Sequence, residues 1–446
     1  GTVKAGAVLV TINFRLALPE IEYVLNDSET RVLFVGREYA EQIDQIRSQL
    51  PKLQKVIVID ESDTGEYYQW RDAQKESAIG QNVLPEDGAV QMYTSGTTGR
   101  PKGVELSHYA MVAAADAGLG VWPFLQEPGA AVLGTMPLFH IAAANLCIAA
   151  LYAGARAEIL RETSPPELVQ VIIERGISLV PVPAAVIHAI LRMPGVRDYD
   201  FSALKTMLIA GSGISVELLK EAQQVFGCGF ALSYGSTETC GGMTYLGAEE
   251  CTHDAGKLLA SAGTVLGDAE IKIVDEQGNE VNALTTGEIL CKSKRLMTGY
   301  WKLPDATADA LEGDWYRSGD AGYVDSDGYL YVVDRIKDMV VTGGENVYPA
   351  EIEKHLREHA TVDDVAIIGI PDQKWGEALM AFVIPRPDTK PTADELETFL
   401  RPRIAGYKIP RKYEIVSDFP RNATGKVLKR SLRAPFLASK DNKEVS

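Results

Sequence analysis

Between Ile177 and Gly227 the chain reads ISLVPVP, AAVIHAILRM, TMLIA and SVELLKEAQQVFG in turn. A short apolar run is followed by a helix-period segment, and the pattern then repeats. Apolar runs without polar alternation suit strands buried on both faces. Such strands, separated by helices, belong to parallel, doubly wound sheets. The alternation begins early, with AVLVTINFR, helix-like EIEYVLND, RVLFVG and a second helix–strand pair ending at KVIVID. AAVLGTMP and IAAANLCIAALYAG continue it, and Ser164 with Glu167 forms a capping box, Pro165 standing at the first helical position. One large α/β domain is expected. From about Gly263 the texture changes to short strands, AEIKIVD, GEILCKS and GYLYVVD, with turns at Gly278-Asn279 and Asp327-Gly328. This reads as a β-rich subdomain over about 263–336, closing a first domain of 1–336. The rest, 337–446, reads as a separate α+β domain with a frayed tail from Ser439. Within it MVVTGGENVYPAEIEKHLREH is a strand, a glycine loop and a helix. The chain opens without Met and looks entered partway through a fold.

The stretch Tyr93–Gly103, YTSGTTGRPKG, is dominated by Ser, Thr and Gly, with Arg100 and Lys102 near its end. It exposes backbone N–H groups and hydroxyls with little bulk and carries positive charge, which suits a loop around a polyphosphate. The Walker spacing is absent. A flexible linker would share the composition. Apolar VQMYT before it and helix-like SHYAMVAAADAG after it argue for a strand–loop–helix turn instead. The 446 residues carry 44 basic and 61 acidic side chains, a net charge of −17 that argues against nucleic-acid binding. No apolar run reaches membrane-spanning length, which leaves peripheral membrane contact open. Five cysteines without a CxxC pair, and no secretory signal, fit reduced thiols in a cytoplasm.

Other signals are weaker alone. Gly211-Ser212-Gly213 lies between a strand and a helix, but Val216 occupies the third glycine position of a dinucleotide fingerprint, so hydride transfer is disfavoured. His355-x-x-Glu358-His359 matches an inverted zinc-protease motif literally, yet sits on a short amphipathic helix without an apparent third ligand. In Tyr234-Gly235-Ser236-Thr237-Glu238 an aromatic, two hydroxyls and a carboxylate follow a strand end, where α/β ligand sites lie. Tyr could stack on a base, Thr bind phosphate and Glu hold Mg2+, or the segment could be a polar turn with a helix cap. Asp320 and Arg335 flank one β unit and could be a structural ion pair.

Taken together, YTSGTTGRPKG, YGSTE, WYRSGDAGYVDSDGYLYVVDRIKD, GGENVYPAEIE and PRNATGKVLKR resemble, in order, motifs of the adenylate-forming superfamily. That superfamily comprises acyl-CoA synthetases, luciferases and peptide-synthetase adenylation domains. The resemblance implies that Thr94, Ser95, Gly96, Thr97, Thr98 and Lys102 hold the β- and γ-phosphates of ATP. Gly211 and Ser212 would border the adenine and Tyr234 stack on it. Thr237 would touch the α-phosphate, Glu238 bind Mg2+, Asp320 take the ribose hydroxyls with Arg335 assisting, and His140 stand beside the substrate carboxylate. Lys426 would contact the α-phosphoryl and carboxylate oxygens. The C-terminal domain is mobile in this family. It pivots near the position of Lys337 so that Gly343 and Gly344 then line a tunnel for CoA.

The implied reaction activates a carboxylic acid as acyl-AMP, releases pyrophosphate and transfers the acyl group to CoA. DQKWGEALMAFVI looks like free-standing CoA ligases, and STETCGG and IAAAN look similar to fatty acyl-CoA synthetases. Ala142, Ala143, Ala144, Gly241 and Gly242 would leave room for a medium to very long acyl chain, or serve close helix packing. An aryl or phenylpropanoid acid remains the alternative, as does an inactive nucleotide-binding fragment. Family members carry further strand–helix units before GAVLVTINFR. Oligomeric state, a homodimer included, stays open.

Overall fold

The computed structural model describes residues 1–60, 64–75, 82–94, 100–161, 164–209, 214–253, 259–342, 345–372, 374–421 and 427–441. The chain divides into two compact units. The first comprises Gly1–Ile271, Leu290–Arg317 and Gly328–Leu330; the second comprises Lys272–Ile289, Ser318–Asp327 and Tyr331–Ser446.

In the first unit a seven-stranded sheet runs in the order Thr264–Val265, Gly241–Leu246, Gly229–Ser236, Thr206–Ile209, Leu179–Val182, Ala131–Gly134 and Arg156–Ile159. From Gly229–Ser236 to Arg156–Ile159 every neighbouring pair is parallel. The other two strands join antiparallel. The doubly wound expectation therefore holds for the centre of the sheet, with an antiparallel edge added. The strands Ala131–Gly134, Leu179–Val182 and Thr206–Ile209 are buried at every position. Their continuous apolar runs reflect helices covering both faces. The capping box forms as the sequence implies, with the Glu167 N–H donating to Ser164 Oγ and the Ser164 N–H to Glu167 Oε2.

A second sheet of this unit carries the polyphosphate-type loop, and here the structure corrects the strand–loop–helix expectation. Gly88–Thr94 leads through the loop into another strand, Lys102–Ser107, paired antiparallel with Thr94 opposite Lys102. The helix starts only at His108, capped by Ser107. Val104 and Leu106 are fully buried, and an alternation of that kind favours a strand over an immediate helix. The loop is thus the tip of a β-hairpin. Its residues 95–99 lie outside the described residues.

In the second unit Glu345–Val347, Val340–Thr342, Gly376–Pro385 and Val362–Asp372 form a sheet in that order, and Lys412–Ile415 also pairs with Gly376–Pro385. Val365, Ile367, Leu379, Ala381 and Val383 pack on one face with Ile352 and Leu356 of the helix Pro349–Arg357. The frayed tail is corrected in part, because a helix spans Lys429–Asp441.

Candidate active site

The turn that carries Tyr234, Thr237 and Glu238 is built by the backbone. Gly229–Ser236 and Gly241–Leu246 form a hairpin with Gly235 opposite Gly242, and the register shifts between Tyr234 and Gly235. A Cβ on Gly235 would lie 1.9 Å from the Gly241 carbonyl oxygen, so only glycine lets the two backbones close up. At the tip Thr239 Oγ1 accepts from the Ser236 N–H at 2.8 Å and donates to the Gly241 carbonyl at 2.7 Å. The Cys240 N–H donates to the Thr237 carbonyl. Cys240 and Gly241 both take positive φ, 49° and 100°. Tyr234, Thr237 and Glu238 are left half-buried on a fixed tip. Ser236 Oγ is buried without a hydrogen-bond partner among the described residues.

Two side chains brace this tip from outside. Asn145, in the helix Ile141–Ala153, donates Nδ2 to the Cys240 carbonyl at 2.6 Å. Its Oδ1 is buried without a partner among the described residues. Arg295, with a side chain only 1% exposed, donates to the carbonyls of Gly242 and Leu266 and pairs with Asp268 at 3.2 Å. Neither was legible as a site residue. Arg295 sits in CKSKRLMTGY, which reads as a solvated basic run. Removing the Asn145 contact in Asn145→Ala should cost about 1–2 kcal/mol and broaden the turn's motion. The check is a lower melting temperature together with weaker ATP binding. An unchanged affinity would show that the turn holds without the brace.

Gly241 bears on the acyl-chain reading. A Cβ there would meet Asn145 Nδ2 at 2.6 Å, on a backbone already at positive φ. The positive φ and the Asn145 contact favour the close-packing reading of this glycine.

His140 precedes that helix as its N-cap residue without capping it through its side chain. Burial, and then Arg15, push its pKa below the usual imidazole value, so the ring is neutral near pH 7. A neutral imidazole can accompany a carboxylate without neutralising it.

Glu238 and Lys102 meet on a residue that the sequence did not single out. Glu238 Oε1 accepts from the Tyr300 hydroxyl at 3.0 Å, and Lys102 Nζ stands 3.9 Å from the centroid of the same ring. No Lys or Arg among the described residues forms an ion pair with Glu238. Its carboxylate is oriented by a neutral donor. No group of three His, Cys, Asp or Glu able to hold a metal occurs among the described residues. A lone carboxylate of this kind fits Mg2+, which commonly takes one or two protein carboxylates together with substrate phosphates.

In the second unit Asp320 and Arg335 are brought together, Arg335 Nε standing 2.6 Å from Asp320 Oδ1. The Asp320 N–H donates to Ser318 Oγ, which in turn donates to the Ile289 carbonyl. Asp320 is nearly buried, so its carboxylate is held in place. Partial desolvation pushes the Lys337 pKa down. His359 of the HxxEH match bonds to Thr361 and meets Phe399 edge-on, as a packed surface histidine does. Ser95, Gly96, Thr97, Thr98, Gly211, Ser212, Gly343, Gly344 and Lys426 lie outside the described residues.

The family model described as AMP-binding enzyme matches residues 1–301, and the one described as AMP-binding enzyme C-terminal domain matches 351–426. The chain belongs to the AMP-binding enzyme family. This enzyme is 37% identical over 442 residues to the fatty acid–[acyl-carrier-protein] ligase ScoC of Streptomyces coeruleorubidus, covering 98% of this chain and 83% of that protein. It is 35% identical to a feruloyl-CoA synthase of Amycolatopsis, covering 97% and 84%. Among solved structures it resembles o-succinylbenzoate CoA synthetase from Bacillus subtilis in complex with its acyl-adenylate intermediate. That match has a TM-score of 0.82 at 29% identity and covers 96% of this chain and 83% of the other. The AMP-binding enzyme is thus an adenylate-forming ligase that uses ATP to join a carboxylic acid to a thiol. No helix among the described residues is long and apolar enough to cross a membrane.

Proposed function

We propose that this enzyme is a cytoplasmic acyl-CoA ligase that activates a fatty acid of medium to very long chain. The observation that carries the nucleotide part is the junction at Tyr300, where the carboxylate suited to Mg2+ and the lysine of the polyphosphate-type hairpin share one support. In this reading the hairpin loop, with Thr94, Ser95, Gly96, Thr97, Thr98 and Lys102, grips the pyrophosphate that leaves. Gly211, Ser212 and Tyr234 frame the adenine, Thr237 addresses the α-phosphate, and Asp320 with Arg335 holds the ribose. Bound Mg2+ would offset charge building on the phosphates. Lys426 supplies a positive charge where the acid attacks an already anionic phosphorus. Gly343 and Gly344 serve the later, thiol-dependent step, and His140 stays neutral beside the acid.

A fatty acid is favoured by the likeness to ScoC, whose name specifies that substrate class, and by the STETCGG and IAAAN segments. An aryl acid is the second reading, supported by the likeness to feruloyl-CoA synthase. ScoC also raises a carrier protein as an alternative thiol donor. A pyrophosphate-release panel over straight-chain and aryl acids, with CoA or a holo-carrier protein as acceptor, separates these readings. Preference for C8 or longer acids with CoA is expected. A preference for cinnamic-type acids would overturn the acid assignment, and transfer only to the carrier would overturn the thiol assignment.

A further inference from the structure

Tyr300 is 6% exposed and is pinned through its backbone. The strand Gly299–Tyr300 pairs antiparallel with Lys102–Ser107, setting Tyr300 opposite Val104. The Tyr300 N–H donates to Thr307 Oγ1 at 2.9 Å, and Thr307 Oγ1 donates to the Leu303 carbonyl. Next door, the Trp301 N–H donates to the Gly103 carbonyl, and Trp301 Nε1 donates to the Asp27 carbonyl. Tyr93, at the entry to the loop, donates its hydroxyl to Asp27 Oδ2 at 2.7 Å. The ring of Tyr300 is therefore fixed relative to both ends of the loop.

Its contacts with Glu238 and Lys102 have different chemistry. The hydroxyl makes a charge-assisted hydrogen bond to Glu238, which fixes one carboxylate oxygen and leaves the other to a ligand. A lysine or arginine at this position would orient Glu238 too, but would also neutralise it and compete with a bound cation. A phenol orients without competing. The ring face meanwhile attracts the Lys102 ammonium, which has no carboxylate counter-ion among the described residues, so its charge stays available to an anion.

We propose that Tyr300 is a positioning residue that acts through Glu238 on the metal–ATP complex and through Lys102 on the leaving phosphates. It thereby couples metal binding to phosphate grip. The inference rests on the roles given above to Glu238 and Lys102.

The test uses the whole chain with Mn2+ as the metal probe. Binding of Mn2+ with ATP is followed by electron paramagnetic resonance, and binding of metal-free ATP by calorimetry. Tyr300→Phe keeps the ring and should weaken Mn2+ uptake in the ternary complex about tenfold while leaving metal-free ATP affinity unchanged. In a Glu238→Gln background the same change should have no further effect. Tyr300→Leu should in addition weaken metal-free ATP, since Lys102 loses its platform. If Tyr300→Leu does not fold, the isosteric Tyr300→Phe decides the matter. Wild-type Mn2+ affinity in Tyr300→Phe, or an equal loss in the Glu238→Gln background, would overturn the proposal. A wild-type protein that binds Mn2+ and ATP but adenylates no acid would overturn the proposed function while leaving the Tyr300 assignment standing.

Discussion

Arg295→Ala should destabilise the first unit by about 3–5 kcal/mol, among the largest losses expected from a single substitution in this protein. The guanidinium is buried, and its burial lowers its own pKa, partly offset by Asp268. Three elements depend on it: the Gly242 carbonyl beside the turn that carries Glu238, the Leu266 carbonyl, and Asp268. Truncation leaves two buried carbonyls and a carboxylate short of their donor, and such groups cost more unpaired than the original pair gained. For a cooperative unit of this size the melting temperature should fall by about 5–8 °C. Arg295→Lys should recover only part, because a single ammonium cannot reproduce a planar fork that serves several acceptors. ATP binding should fall with stability, since Gly242 stands opposite Gly235. A melting temperature within 1 °C of wild type would show that the hairpin does not lean on Arg295.

Lys426→Ala should separate the two half-reactions. Acyl-AMP formation is expected to fall by about a hundred- to a thousandfold, the usual consequence of removing a positioned donor to developing transition-state charge. Conversion of supplied acyl-AMP to thioester should stay within about twofold of wild type, as expected of a lysine that serves adenylation alone. Pyrophosphate release measures the first, and thioester formation from synthetic acyl-AMP measures the second. Equal losses in both would contradict a role confined to adenylation. Lys426→Arg is informative beside it. It keeps the charge but not the compact ammonium, so an intermediate rate is expected if geometry as well as charge matters.

The large sheet was legible because its strands are continuous apolar runs, and those runs are buried at every position in the structure. The strand after the polyphosphate-type loop was missed. Lys102–Ser107 is short and runs straight into the alanine-rich helix, so local sequence blends the two. Glu238 and Lys102 could be picked out by chemical type and neighbours. Tyr300 could not, because an aromatic in GYW looks like ordinary core. Its significance comes from meeting Glu238 across 62 residues of chain. Arg295 and Asn145 escaped for a similar reason. One resembled a surface charge and the other a small polar residue in an alanine helix, and only tertiary contact shows them gripping backbone carbonyls.

The backbone contact at Gly235 also limits how this enzyme can be diversified. A side chain at Gly235 would part the hairpin that holds Glu238, and one at Gly241 would strain a positive-φ backbone and displace Asn145. A mutational library aimed at new acids would therefore waste those two codons. Variation belongs on the neighbouring helix, at exposed Ala142 and partly exposed Ala144, which carry no positive φ. Selection among related ligases should show the same asymmetry, with these two glycines frozen and the exposed helix positions free to drift.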